Sequence, residues 1–221
     1  MKRFPVTIVD NFYENPEIVR DFALSQEYYP TNGRYPGERT ESISSISQEF
    51  FNNFCERLFS LFYDFSRTRL TWNVETSFQK IKNLSNDKNS KFNEGWIHPD
   101  DCIFSGVVYL SKSNSGTSIY YPKVQGVETT SQDEKHIFYS GKEIDEEVYA
   151  NAVTENNNNF YETIKVSGEF NRLILFEEGL HHGVPSFYSE NEDRLTQVFF
   201  VYEINDVEAP GNYPIVRSKV R

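Results

Sequence analysis

Cysteine is nearly absent from this 221-residue chain: Cys55 and Cys102 are the only two. They lack metal-ligand spacing and make no disulfide framework, which in a chain this long points to a reducing compartment, the cytoplasm. Long apolar runs are missing as well. The opening MKRFPVTIVDNFYENP holds no sustained hydrophobic stretch, and no later run approaches the length needed to cross a membrane. Positive charge is short too, with 22 Lys and Arg against 33 Asp and Glu, a net charge of -11. Such a surface repels a nucleic-acid backbone or an anionic membrane, although a local basic pocket can still take a small anion. Aromatic residues, by contrast, make up 16% of the chain, with 19 Phe and 14 Tyr. They supply enough apolar area for a folded core despite a mean hydropathy of -0.62.

The order of elements reads from periodicity. Residues 4–9 (FPVTIV) suit a short strand. Asn15-Pro16-Glu17 then starts a helix with a cap, Pro at the first helical position and an acid in the first turn. Residues 29–40 are loop by composition, rich in Pro and Gly. Phe50, Phe51, Phe54, Cys55, Leu58, Leu61, Phe62 and Phe65 form one apolar stripe at helical spacing, which fits a helix buttressing a sheet. From residue 68 the period becomes strand-like, in TRLTWNVETSFQKIK, IFSGVVYLS, TSIYY, YETIKVS, NRLILFEEG and LTQVFFVYEI. Residues 122–161 are a polar, Asn-rich insertion with one helix near EIDEEVYANAV. His136 within it reads as a solvated surface residue, and the basic tail APGNYPIVRSKVR as peripheral. Two helices followed by many strands without crossover helices favour a mainly β antiparallel sandwich or jelly roll. The expected organisation is one domain over 1–221, with helical support to about 67 and a β core over about 68–205.

The scarce histidines carry the chemistry. His98 and Asp100 stand two apart before a strand, so in extended chain both side chains point to one side. By the same parity Asp101 points the other way. A second imidazole must come from elsewhere, and His181-His182 follow the buried strand NRLILFEEG. Two His and one carboxylate on one face of an octahedral metal leave three positions open, which suits iron(II); zinc accepts the same ligand types. Arg194 opens the last strand with Thr196 on the same face. A planar guanidinium there suits bidentate capture of a carboxylate, to which a hydroxyl adds a third bond. A structural ion pair of Arg194 with Glu177 or Glu178 is the competing reading.

His98-Pro99-Asp100, then LFEEGLHHGV, then Arg194-Leu195-Thr196 resemble the His-x-Asp … His … Arg-x-Ser/Thr pattern of the iron(II)- and 2-oxoglutarate-dependent dioxygenases. The text around the distal histidine is similar to the prolyl-4-hydroxylase-like branch. IVDNFYENPEIVRDFAL and RYPGERT look like a group of uncharacterised bacterial and phage members. The resemblance spans about residues 6–204 and is weakest across the insertion. It implies a double-stranded β-helix, the cupin-like jelly roll, flanked by N-terminal helices. It further implies His98, Asp100 and His182 as iron ligands and Arg194, assisted by Thr196, on the distal carboxylate of 2-oxoglutarate. His182 is preferred to His181 because it stands two before Val184, as in the family's H-x-V text. The implied reaction consumes dioxygen and 2-oxoglutarate, releases succinate and carbon dioxide, and hydroxylates a small-molecule or peptidyl substrate. Tyr109, Tyr120 and Tyr121 are strand aromatics for which core packing competes with a pocket role; Tyr120 is carried as a candidate 2-oxoglutarate contact. Two other readings stay open: a catalytically silent jelly-roll binding protein, and a cupin-type metal enzyme that does not use 2-oxoglutarate.

Overall fold

The last strand alternates with period two, and that alternation divides the interior. In β10 (Arg194–Asp206), Leu195, Phe199 and Val201 join the large hydrophobic core, while Arg194, Val198 and Phe200 line a cavity on the other face. The computed structural model describes residues 5–30, 35–113, 115–124, 126, 138–139 and 145–207. His136 and the tail from residue 208 therefore lie outside the described residues.

Chain order gives β1 (Val6–Val9), α1 (Pro16–Leu24), β2 (Tyr29–Pro30), β3 (Glu38–Arg39), α2 (Ile43–Ile46), α3 (Gln48–Ser60) and β4 (Leu70–Ile81). A 3-10 turn at Lys91–Asn93 leads to β5 (Phe104–Tyr109), β6 (Thr117–Pro122), α4 (Glu146–Asn157), β7 (Phe160–Val166), β8 (Leu173–Glu177), β9 (His181–Gly183) and β10. Among the described residues seven strands form one sheet in the order β1-β8-β5-β10-β4-β3-β2, and three form a second in the order β7-β6-β9. Every pairing is antiparallel. These are the two sheets of a jelly roll, with α1 and α3 packed on the outer face of the larger one.

The helix signals hold in part. Pro16 starts α1, but Asn15 occupies the cap position without a side-chain capping bond. The apolar stripe predicted to Phe65 is helical only to Ser60. The chain then turns so that Phe62 and Tyr63 still reach the core, while Phe65 is left exposed. Residues 29–40, expected as loop, contain β2 and β3, which are too short to show alternation. Asp145 caps α4 by accepting from the backbone N–H groups of Glu147 and Val148.

Phe54 sits at the centre of the large core, its ring 5.5 Å from Phe199 and 6.1 Å from Phe12. Phe54→Ala is expected to cost about 3–5 kcal/mol, read as a lower denaturation midpoint with unchanged slope. Ile18→Ala, on a residue 67% exposed, is expected to stay within about 0.5 kcal/mol.

Candidate metal centre

The segment before β5 and the strand β9 meet as one antiparallel strip. Gly95 N–H donates to the Val184 carbonyl at 2.9 Å. His98 and His182 exchange both backbone bonds, at 3.0 and 2.9 Å. Directly opposed residues in such a bridge put their side chains on the same face. The two imidazoles accordingly lie side by side, ring centroids 4.6 Å apart. Asp100, two residues past His98, joins them. Its Oδ1 lies 3.7 Å from His98 Nε2, and its Oδ2 lies 3.3 Å from His182 Nε2.

The far edge of each ring is held by backbone. His98 Nδ1 meets the Trp96 carbonyl at 2.9 Å, and His182 Nδ1 meets the Leu180 carbonyl at 3.0 Å. A carbonyl can only accept, so each Nδ1 carries a proton and each Nε2 is turned toward Asp100. One nitrogen from each histidine and one Asp100 oxygen all fall within 4.8 Å of one another. This donor set fits a divalent metal held on one octahedral face. Burial raises the pKa of Asp100. The neighbouring His182 and His98 and a hydrogen bond with Ser105 outweigh it, holding the carboxyl well below the usual range and keeping it ionised.

The insertion braces this strip. Asn157 Oδ1 accepts from Ile97 N–H at 3.0 Å, and its Nδ2 donates to the Gly95 carbonyl at 3.0 Å. Asn156 Nδ2 donates to the Ile97 carbonyl at 3.1 Å, and Tyr149 Oη to the Glu94 carbonyl at 2.7 Å. Within the 3-10 turn, buried Asn93 ties down Leu84, Ser85 and Asp87, and its carbonyl accepts from Phe187 N–H at 2.7 Å. These asparagines escaped the sequence reading. Their partners, in the case of Asn156 and Asn157, lie some sixty residues away, and only the excess of Asn in α4 hinted at them.

A cavity of about 750 Å³ opens from the triad, and its wall includes His98, Asp100, His182, Thr117, Arg39 and Arg194. Arg194 is fully buried. Its Nε reaches the Ser115 carbonyl at 3.4 Å, one Nη reaches Thr196 Oγ1 at 3.4 Å, and its Cζ lies 5.5 Å from the Tyr109 ring centroid. Burial pulls its pKa down while Tyr109 raises it. Among the described residues no carboxylate stands within ion-pair distance of Arg194, so Glu177 and Glu178 do not account for its burial.

Other expected positions fall differently. Thr196 is wholly buried and absent from the cavity wall, accepting from Arg194 instead. Tyr120 pairs with His181 across β6 and β9 and does not line the cavity, whereas Thr117 and, near the triad, Asp101 do. Asp101 departs from its expected side because residues 101–103 bend rather than extend. His181 packs on Phe160, ring centroids 4.8 Å apart, away from the triad.

This fold is shared with solved structures. HygX from Streptomyces hygroscopicus with nickel and 2-oxoglutarate bound matches 95% of this chain and 84% of its own at 14% identity, with a TM-score of 0.53. HygX with hygromycin B also bound gives the same coverage and identity and a TM-score of 0.52. The non-heme alpha ketoglutarate dependent epimerase SnoN from nogalamycin biosynthesis matches 98% of this chain and 92% of its own at 10% identity, with a TM-score of 0.51. The fold the chain shares with them is the double-stranded β-helix. The chain itself belongs to the family of unknown function DUF6445, whose model matches residues 1–185. No curated protein matches the sequence.

His182→Ala is expected to weaken iron(II) binding more than about 100-fold, beyond the 10–100-fold usual for residues that only support a ligand. His181→Ala is expected to leave it within a few fold. Equilibrium dialysis with metal analysis measures both.

Proposed function

We propose that this protein is an iron(II)- and 2-oxoglutarate-dependent dioxygenase that hydroxylates a small-molecule or peptidyl substrate. One observation carries the reading: a two-histidine, one-carboxylate cluster and a buried arginine without an acidic partner line the same cavity. The cluster suits iron(II) with open positions, and the arginine suits the distal carboxylate of a dicarboxylic co-substrate.

In this reading His98 Nε2, His182 Nε2 and an Asp100 oxygen hold the metal. Iron(II) with 2-oxoglutarate supplies oxidation by dioxygen, with succinate and carbon dioxide released. The chain's contribution is geometric and electrostatic. The carbonyls of Trp96 and Leu180 hold both Nδ1 edges and so aim the Nε2 atoms at the metal position. Thr196 and the Ser115 carbonyl fix the Arg194 guanidinium, so its remaining N–H groups can grip a carboxylate with little ordering left to do. Tyr109 lies under that guanidinium and donates its Oη–H to Thr117 Oγ1 at 2.7 Å, which orients the Thr117 hydroxyl on the cavity wall. Phe176, 4.0 Å from the His182 ring, helps exclude water around the ligands.

Two further roles sought from the sequence change under this reading. Thr196 positions Arg194 rather than touching co-substrate, and Tyr120 has no part. Intact ligands together with Arg194 favour the oxygenase over a silent jelly-roll binder or a metal enzyme without 2-oxoglutarate.

Iron(II) and 2-oxoglutarate added without oxygen are expected to give the visible charge-transfer band of the chelate. Arg194→Ala is expected to raise the 2-oxoglutarate concentration for half-saturation roughly thirtyfold or more, about 2 kcal/mol or above, as for loss of one partner of a buried charge pair. A wild-type protein that binds iron yet gives no band at saturating 2-oxoglutarate would falsify the reading.

A further inference from the structure

A second guanidinium, on a half-buried residue, lines the same cavity and has no task in the chemistry above. Arg39 comes from the RYPGERT segment, on β3, where it pairs with Gln79 of β4. Its Cζ lies 3.7 Å from the Tyr35 ring centroid and 5.7 Å from that of Phe200. One Nη reaches Gln79 Oε1 at 3.5 Å, and Gln79 is itself held by donating to the Pro36 carbonyl at 2.8 Å. The Nε of Arg39 is buried and meets no hydrogen-bond partner among the described residues. No acid sits within ion-pair distance of it among the described residues. Glu75, on the same wall, accepts from Tyr202 Oη at 3.3 Å instead.

Burial pulls Arg39 down to about 10, with Tyr35, Asp100 and Glu75 opposing the fall, so the group stays charged at neutral pH. A charged guanidinium stacked on an aromatic face, with donors unused at its edge, is a costly arrangement for structure alone. It is what a receptor for an anionic oxygen group requires. The charge of that group is bounded by its neighbours. In this reading the metal and Arg194 balance Asp100 and the co-substrate, which leaves Glu75 and Asp101 on the same wall to disfavour a second dianion, and among the described residues no lysine lines the wall to balance one. One guanidinium beside these acids balances a singly charged carboxylate better than a doubly charged phosphate monoester.

We propose that Arg39 is the substrate-recognition residue of this site and that the substrate is a carboxylic acid whose carboxylate it binds, presenting a neighbouring C–H bond to the metal. The inference rests on the oxygenase reading, with Arg194 committed to the co-substrate and Arg39 to the substrate.

The test uses the full-length protein loaded with iron(II) and 2-oxoglutarate. The probes are N-acetyl-L-amino acids, their matching primary amides, and matching amino-alcohol O-phosphates. Two signals are read: perturbation of the chelate band without oxygen, and added succinate release in air. Acids are expected to act at concentrations at least about tenfold below their amides, because the site's donors go unmatched by an amide. Arg39→Gln is expected to bring that acid-to-amide ratio near one, and Arg39→Lys to restore part of it. The inference is overturned if amides equal acids, if phosphates outrank acids, or if Arg39→Gln keeps the full ratio. It is overturned equally if no acid acts on a protein that forms the band. If Arg39→Gln does not fold, the wild-type ratio decides alone. A missing band in the wild type removes the oxygenase reading and this inference together; a band without acid preference removes only the inference.

Discussion

The two backbone hydrogen bonds that His98 and His182 exchange organise the candidate site. They join the segment before β5 to β9, which also borders β6 in the smaller sheet. Because opposed residues in an antiparallel bridge share a face, this one contact turns two distant histidines into neighbouring candidate ligands. The carbonyls of Trp96 and Leu180 then hold both Nδ1 edges, and Asp100 needs only to follow His98 by two residues. Without the bridge, residues 84 positions apart in sequence would have to be brought together by loops, at a much larger cost in ordering.

The scaffold around that bridge divides its labour by strand parity. Leu195, Phe199 and Val201 anchor β10 to the helices, and Arg194, Val198 and Phe200 face the cavity. The aromatic wealth of the chain is spent mostly on the first task. Phe12, Phe54, Phe62, Phe78 and Phe199 weld α1 and α3 to the sheet, and a stiff sheet is what lets Arg194 stay buried in a fixed pose. The insertion contributes more than bulk, since Asn156 and Asn157 satisfy backbone groups that the strip at 95–97 would otherwise leave open.

Much of this was legible in the sequence, for identifiable reasons. The helix stripe, the alternating strands and the spacing of His98 and Asp100 are local patterns, and local patterns survive without coordinates. The Arg194 and Thr196 pair was visible as residue types, but their division of roles was not, because hydroxyl direction depends on the buried Ser115 carbonyl and guanidinium around them. Tyr120 looked suited to the cavity. The shift in β6–β7 pairing between Ile119 and Tyr120, and the pairing of Tyr120 with His181, leave it elsewhere. Arg39 was hidden in a segment that read as turn chemistry, since two-residue strands carry no period. The asparagine clamps were hidden by sequence distance.

The central claim is that one cavity holds a metal at His98, Asp100 and His182 and a dicarboxylate on Arg194. A crystal structure grown without oxygen from protein loaded with manganese(II), as an inert stand-in for iron(II), and 2-oxoglutarate tests it most directly. The expected result is an anomalous metal peak bonded to His98 Nε2, His182 Nε2 and an Asp100 oxygen, with the distal carboxylate of 2-oxoglutarate paired to Arg194. A metal held by His181 or lodged elsewhere, or a 2-oxoglutarate that leaves Arg194 without a carboxylate, would contradict the account.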